Sequence, residues 1–99
     1  MNIAITSRKF KARESLKDFI KQEVGSLEKF YDEIMDVEVV LSYQKPDQDD
    51  KTAELIVNVP KSTLKASETT ADYEQSVRAA TEKIARQLKK LKTKRNVHL

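Results

Sequence analysis

Between residues 70 and 95 the chain writes two different surfaces into a single helix, and any fold must satisfy both. Tyr73, Val77, Ala80, Ile84, Leu88 and Leu91 recur at spacings of four and three, which places them on one stripe of an α-helix. Such a stripe needs a second layer to bury it. The remaining circumference is cationic: Arg78, Lys83, Arg86, Lys89, Lys90, Lys92 and Lys94, with Arg95 closing the run and Glu82 the only acidic residue after Glu74. A solvated helix face ordinarily mixes its signs. From Arg78 onward eight Lys and Arg stand against one Glu, a balance of +7. Eleven cationic and fifteen acidic residues precede them, a balance of −4, so the net charge of +3 conceals a strong dipole.

The 99 residues fit one domain, which at roughly this size buries about two thirds of its unfolded surface. No apolar run approaches the ~20 residues that span a bilayer, and the start of the chain lacks a secretory pattern, so a soluble, cytoplasmic protein without a membrane partner is expected. The absence of cysteine removes disulfides, zinc–thiolate sites and thiol chemistry. A sequence pI near 9.1 with the positive charge gathered at one end fits a polyanionic partner such as nucleic acid. A solubilising tail is the plainer alternative, but a tail need not also carry a core stripe.

Residues 2–6 alternate Ile3 and Ile5 and predict a first strand. Leu16, Phe19, Ile20, Val24, Leu27, Phe30 and Tyr31 then trace a helical stripe to about Glu33. Its start is read either at Ser15, with Asp18 three positions on as a variant capping box, or a turn earlier near Arg13. Gly25, the only glycine, costs that helix about 1 kcal/mol relative to Ala unless it allows close packing. Residues 36–43 return to a period of two, with Val37, Val39, Leu41 and Tyr43 on one face. Residues 44–51 (QKPDQDDK) read as a solvated hairpin loop. A third strand covers 53–59 and stops at Pro60, and a fourth covers 61–67 with Leu64 and Ala66 inward. Thr69 or Thr70, followed by Asp72, opens the second helix.

The order βαβββα predicts a two-layer α+β sandwich: a four-stranded mixed sheet with both helices on one face. The other face, bearing Glu38, Ser42, Glu54, Asn58 and Lys65, is expected to meet water.

Catalytic machinery is hard to find in these residues. One glycine excludes a glycine-rich phosphate loop, and Asp47, Asp49 and Asp50 lack the glycine and distal glutamate of a calcium loop. His98 stands one residue from the end, without a fixed partner. Tyr31, Tyr43 and Tyr73 fall on core stripes. No catalytic residue, metal or cofactor is therefore expected, and the chain is not read as an enzyme. The basic face of the second helix is the remaining signal, since Lys and Arg neutralise phosphates and release counterions. Arg78, Arg86 and Lys89 project together, and Lys83, Lys90 and Lys94 form an adjacent row. Without evident exposed aromatics, backbone and shape recognition of folded RNA is favoured over base readout. Lys9, Lys11 and Arg13 extend the patch if the helices lie side by side.

Three stretches, LEKFYD at 27–32, DVEVVLS at 36–42 and EKIARQLKKLKTK at 82–94, carry a resemblance to the short ribosome hibernation promoting factors and the related ribosome-associated translation inhibitors. The likeness runs in order along nearly the whole chain, including Ala66, Ser67 and Asp72. It implies a βαβββα fold similar to double-stranded RNA-binding domains. It also implies binding to the small ribosomal subunit, in the channel of messenger RNA and the A- and P-site transfer RNAs, where occupancy blocks initiation and preserves idle ribosomes under stress or in stationary phase. The family's contacts to ribosomal RNA carry over onto Lys83, Arg86, Lys90, Lys92 and Lys94; Arg78 and Lys89 are added from helical geometry.

The chain departs from the family pattern at Glu23 and Ser26, where basic residues are common, at Glu74, where a tyrosine is common, and at Arg13, where a capping threonine is common. The resemblance covers neither the long form's dimerisation domain nor the inhibitor branch's longer tail, which favours the short pairing-assisting branch and a monomer off the ribosome. Two further readings use the same helix: a general structured-RNA binder or chaperone without ribosome selectivity, and a protein-interaction module for an acidic partner.

Overall fold

Asp36–Ser42 (DVEVVLS) forms the central strand β2, and its alternation fixes the sheet around it. Val37, Val39 and Leu41 face the helices at 1%, 0% and 0% exposure, and a one-residue slip would turn all three to solvent. In the computed structural model, which describes the backbone of residues 1–45 and 47–97 and side chains as far as 93, the sheet order is β1-β2-β3-β4. Strand β1 (Asn2–Ser7) pairs parallel to β2, with Ile5 beside Val39. Strands β3 (Lys51–Val59) and β4 (Ser62–Thr70) continue it antiparallel, with Val39 beside Leu55 and Leu55 beside Ala66. The helices α1 (Glu14–Gly25) and α2 (Tyr73–Val97) complete the βαβββα order. Both bury their stripes against the same sheet face, where Ile20, Val24, Ile84 and Leu88 join the strand residues in one core. The predicted two-layer sandwich is the fold observed.

On the open face Glu38 and Lys65 are exposed, and Ser42, Glu54 and Asn58 are half-buried. Val40 lies among them at only 8% exposure, flanked by Thr6 and Glu54.

Several boundaries differ from those predicted. Helix α1 does not run to Glu33: it ends at Gly25 and tightens into a 3-10 turn at Ser26–Lys29. The Ser26 hydroxyl donates to the Glu23 carbonyl at 2.6 Å, and the Phe30 amide donates to the Leu27 carbonyl at 3.0 Å. Leu27 and Phe30, three apart, thus share a face by 3-10 winding rather than by continued α-helix. A Cβ on Gly25 would meet nothing within 4 Å, so the glycine serves no close approach. Of the two predicted starts the structure takes the one at Arg13, whose extended backbone (ψ 151) precedes the first turn without a side-chain cap, and Ser15 falls inside the helix.

Strand β4 runs to Thr70, three residues further than expected, and the Thr70 hydroxyl accepts the Asp72 amide at 3.3 Å without capping α2 itself. That role falls to Asp72, whose Oδ1 accepts the Gln75 amide at 2.8 Å. Tyr43 lies beyond the end of β2, and its hydroxyl donates to the Lys9 carbonyl at 3.2 Å.

Candidate nucleic-acid interface

The core stripe of α2 fixes its rotation about its axis and therefore decides which cations face outward. Val77, Ala80, Ile84 and Leu88 are all fully buried, with Tyr73 and Leu91 packed at the margins. Two polar residues lock the first turns from within, a feature that periodicity misses. The Ser76 hydroxyl donates to the Lys51 carbonyl at 2.6 Å, and that of Thr81 to the Val77 carbonyl at 2.7 Å. Further along, the Gln87 amide donates to the Lys65 carbonyl on the edge of β4 at 3.1 Å. At ~1.5 Å per residue the 25-residue helix extends about 37 Å, and the molecule measures 52 Å along its longest axis.

The predicted cations separate into two groups. Arg78 is held by α1: its Nε lies 3.8 Å from Glu23 Oε1, and its guanidinium sits 5.2 Å from the centroid of the Phe19 ring. Lys83 turns to the opposite side, where its Nζ meets Glu68 Oε1 on β4 at 2.8 Å. Arg86, Lys89, Lys90 and Lys92 are exposed, and among the described residues none of them has an acidic partner. The Lys89 ammonium lies over the Phe30 ring at 4.9 Å from its centroid, a cation–π contact made while the residue remains exposed. The side chains of Lys94 and Arg95 lie outside the described residues.

Glu23, the departure from the family pattern on α1, is thus the carboxylate that occupies Arg78. Lys9, Lys11 and Arg13 are exposed but do not continue the Arg86–Lys92 patch, although the helices do lie side by side. They precede α1 at the end of the sandwich where α2 begins, and Phe10 between them stacks on Tyr73 at 5.0 Å.

Asp50 Oδ2 accepts the backbone amides of Gln44 and Lys45 at 3.1 and 2.7 Å, so this aspartate closes its own loop. Among the described residues no group of three or more His, Cys, Asp or Glu could hold a metal ion, and no helix is long and apolar enough to cross a membrane. A shallow cleft of about 370 Å³ between the starts of the two helices is lined by Arg13, Ser15, Leu16, Asp72, Tyr73 and Glu74. Burial, with Tyr43 and Asp50 nearby, pushes the Tyr73 phenol above its ordinary value of 10.0, so Tyr73 stays neutral and donates to the Ser42 carbonyl at 3.1 Å.

Comparison with known proteins gives concordant matches. The family model described as sigma 54 modulation protein / S30EA ribosomal protein matches residues 3–96. The ribosome hibernation promoting factor of Escherichia coli (strain K12) is 30% identical over 98 residues, covering 99% of this chain and 100% of that protein. The ribosome hibernation promotion factor of Bacillus subtilis (strain 168) is 26% identical over 96 residues, 97% of this chain but 51% of that protein, so the chain spans about half of that longer relative. In fold, a ribosomal subunit interface protein from Coxiella burnetii superposes with a TM-score of 0.85 at 22% identity, over 94% of this chain and 99% of that one.

Proposed function

The chain belongs to the sigma 54 modulation protein / S30EA ribosomal protein family, and from that premise we propose that it is a ribosome hibernation factor acting without catalysis. It binds the small ribosomal subunit through ribosomal RNA, occupies the channel of messenger RNA and the A- and P-site transfer RNAs, and inhibits translation by steric occlusion. Residues 1–99 act as one ribosome-binding domain, monomeric off the ribosome and cytoplasmic with its partner. The names of the relatives, ribosome hibernation factors in E. coli and B. subtilis, support this reading.

The observation that carries it is the row of exposed cations Arg86, Lys89, Lys90 and Lys92, without a carboxylate partner among the described residues and set on a helix anchored through Ile84 and Leu88. A rigid row of this kind meets phosphates with little loss of side-chain freedom and draws its affinity from counterion release. Arg78, Lys83, Lys94 and Arg95 complete the proposed RNA face, with Arg78 and Lys83 exchanging their carboxylates for phosphate on binding.

Occlusion has a direct test. Small subunits loaded with messenger RNA and P-site transfer RNA should exclude the protein, and prior addition of the protein should block loading and in-vitro translation. Equal binding to loaded and empty subunits contradicts occlusion. The general RNA-binder reading uses the same cations, and excess duplex RNA separates the two: it strips a general binder from the subunit and leaves a selective one in place.

A further inference from the structure

The loop joining β1 to α1 places four cations in six residues, Arg8, Lys9, Lys11 and Arg13, with no acidic residue among them. All four are exposed, and among the described residues none makes an ion pair, in contrast to Arg78 and Lys83. Lys17, Lys51 and Arg78 show that nearby carboxylates are ordinarily taken up by cations, since each lies within 3.8 Å of one.

The loop is also fixed. Its first amide, on Arg8, donates to the Leu41 carbonyl at 2.9 Å. Lys9 adopts the left-handed backbone (φ 68) that a lysine seldom takes, and Tyr43 holds its carbonyl. Phe10 turns inward between Tyr73 and Tyr43, at 5.0 and 5.9 Å, and Ala12 is buried at 5% exposure. With Phe10 and Ala12 pinned, the intervening charges are left facing solvent. Arg13 differs from the others in sharing its cleft with Asp72 and Glu74, so Arg8, Lys9 and Lys11 form the unopposed set.

We infer that this loop is a second site for RNA backbone phosphates, separate from the ridge on α2. Phe10 stacks on Tyr73, and seventeen residues of helix at ~1.5 Å each place Lys90 about 25 Å further along. The loop lies beside the start of α2 and the ridge on its second half, so one folded RNA that spans both meets cations at two separated stretches of backbone. The aromatic cluster is the scaffold of the loop rather than a shelf for bases, because two of its rings direct their hydroxyls to backbone carbonyls. The inference extends the RNA-binding reading of α2 and rests on it.

The test is a salt series of binding to a duplex of about 20 base pairs, longer than the roughly 16 that a two-groove contact spans. The variants are Arg8→Gln/Lys9→Gln/Lys11→Gln, Lys11→Gln alone, and Lys65→Gln on the open sheet face. Each lost phosphate contact lowers the slope of log affinity against log salt by about 0.9. The triple variant should therefore lose about 2.7 units of slope and Lys11→Gln about 0.9, with Lys65→Gln unchanged. Thermal melts run in parallel identify folded protein, and the single variant decides the matter where the triple does not fold. A slope within half a unit of wild type for Lys11→Gln, on the duplex or, where wild type does not bind the duplex, on isolated small subunits, overturns the second site. Binding to small subunits is measured separately: a loop-dependent slope on duplex without subunit binding removes the ribosome reading alone, and subunit binding with an unchanged loop slope removes the loop alone.

Discussion

In the first half of α2, Arg78 lies 3.8 Å from Glu23 and Lys83 lies 2.8 Å from Glu68, whereas in the second half Arg86, Lys89, Lys90 and Lys92 stand exposed without a carboxylate among the described residues. The cations of both halves are Lys and Arg on the same helix. They differ in their neighbours: α1 supplies an acid on one side of the first half, and β4 supplies one on the other. Helical spacing alone would rank all six cations together. The fold ranks them by the carboxylates within reach, and RNA must displace a partner to use the first two. An exposed ion pair contributes only about 0–1 kcal/mol to stability, so Glu23 and Glu68 matter more for where the cations point than for holding the fold together.

The contrast between the two halves requires α2 to be one rigid element. Leu88 is fully buried at the start of the cationic row, and Leu88→Ala should cost about 2–5 kcal/mol through a core cavity. Urea denaturation measures this; a loss under 1 kcal/mol would mean that the second half is not anchored as described. Next in size is the contrast between the halves themselves. Lys90→Gln should weaken subunit binding and lower its salt slope by about 1, as for one lost phosphate contact. Lys83→Gln should have a smaller effect, because its ammonium is already neutralised by Glu68. Glu68→Gln sharpens the point by releasing Lys83, and should raise affinity and steepen the slope. Equal losses from Lys83→Gln and Lys90→Gln would erase the distinction.

The smallest effect concerns the anchor of the first half. The Tyr73 phenol holds its proton more tightly in the fold than its ordinary value of 10.0, chiefly through burial. Above about pH 10 the unfolded chain loses a proton that the folded chain retains, so stability is complete below that pH and falls as pH rises through the folded value. Tyr73→Phe removes the hydrogen bond to the Ser42 carbonyl, costing about 0.5–1.5 kcal/mol near neutral pH, and should flatten the alkaline fall. Urea denaturation at pH 8 and pH 11 checks both; an alkaline fall as steep in Tyr73→Phe as in wild type assigns it to another group.

The layers of this fold were legible because burial repeats with the period of the element. The spacing of Val77, Ala80, Ile84 and Leu88, and the alternation of Val37, Val39 and Leu41, named the buried faces of α2 and β2 directly. Periodicity did not locate the end of α1, because Leu27 and Phe30 are three apart and satisfy either winding; the Ser26 hydroxyl on the Glu23 carbonyl accompanies the tightening at Gly25. Nor did it find the partners of Arg78 and Lys83, since Glu23 and Glu68 are distant in sequence and meet them only through packing. The glutamate at 23 was visible as a departure from the family pattern. Its target was a tertiary fact.

Co-sedimentation with isolated small ribosomal subunits, across a salt series, sets wild type against Arg86→Glu/Lys90→Glu/Lys92→Glu. All three positions lie off the buried stripe, so the variant should fold and melt as wild type does. Stoichiometric, salt-sensitive binding by wild type and its loss in the variant is the predicted result; pelleting of the folded variant at wild-type levels would contradict the assignment of the second half of α2 as the ribosome-binding face.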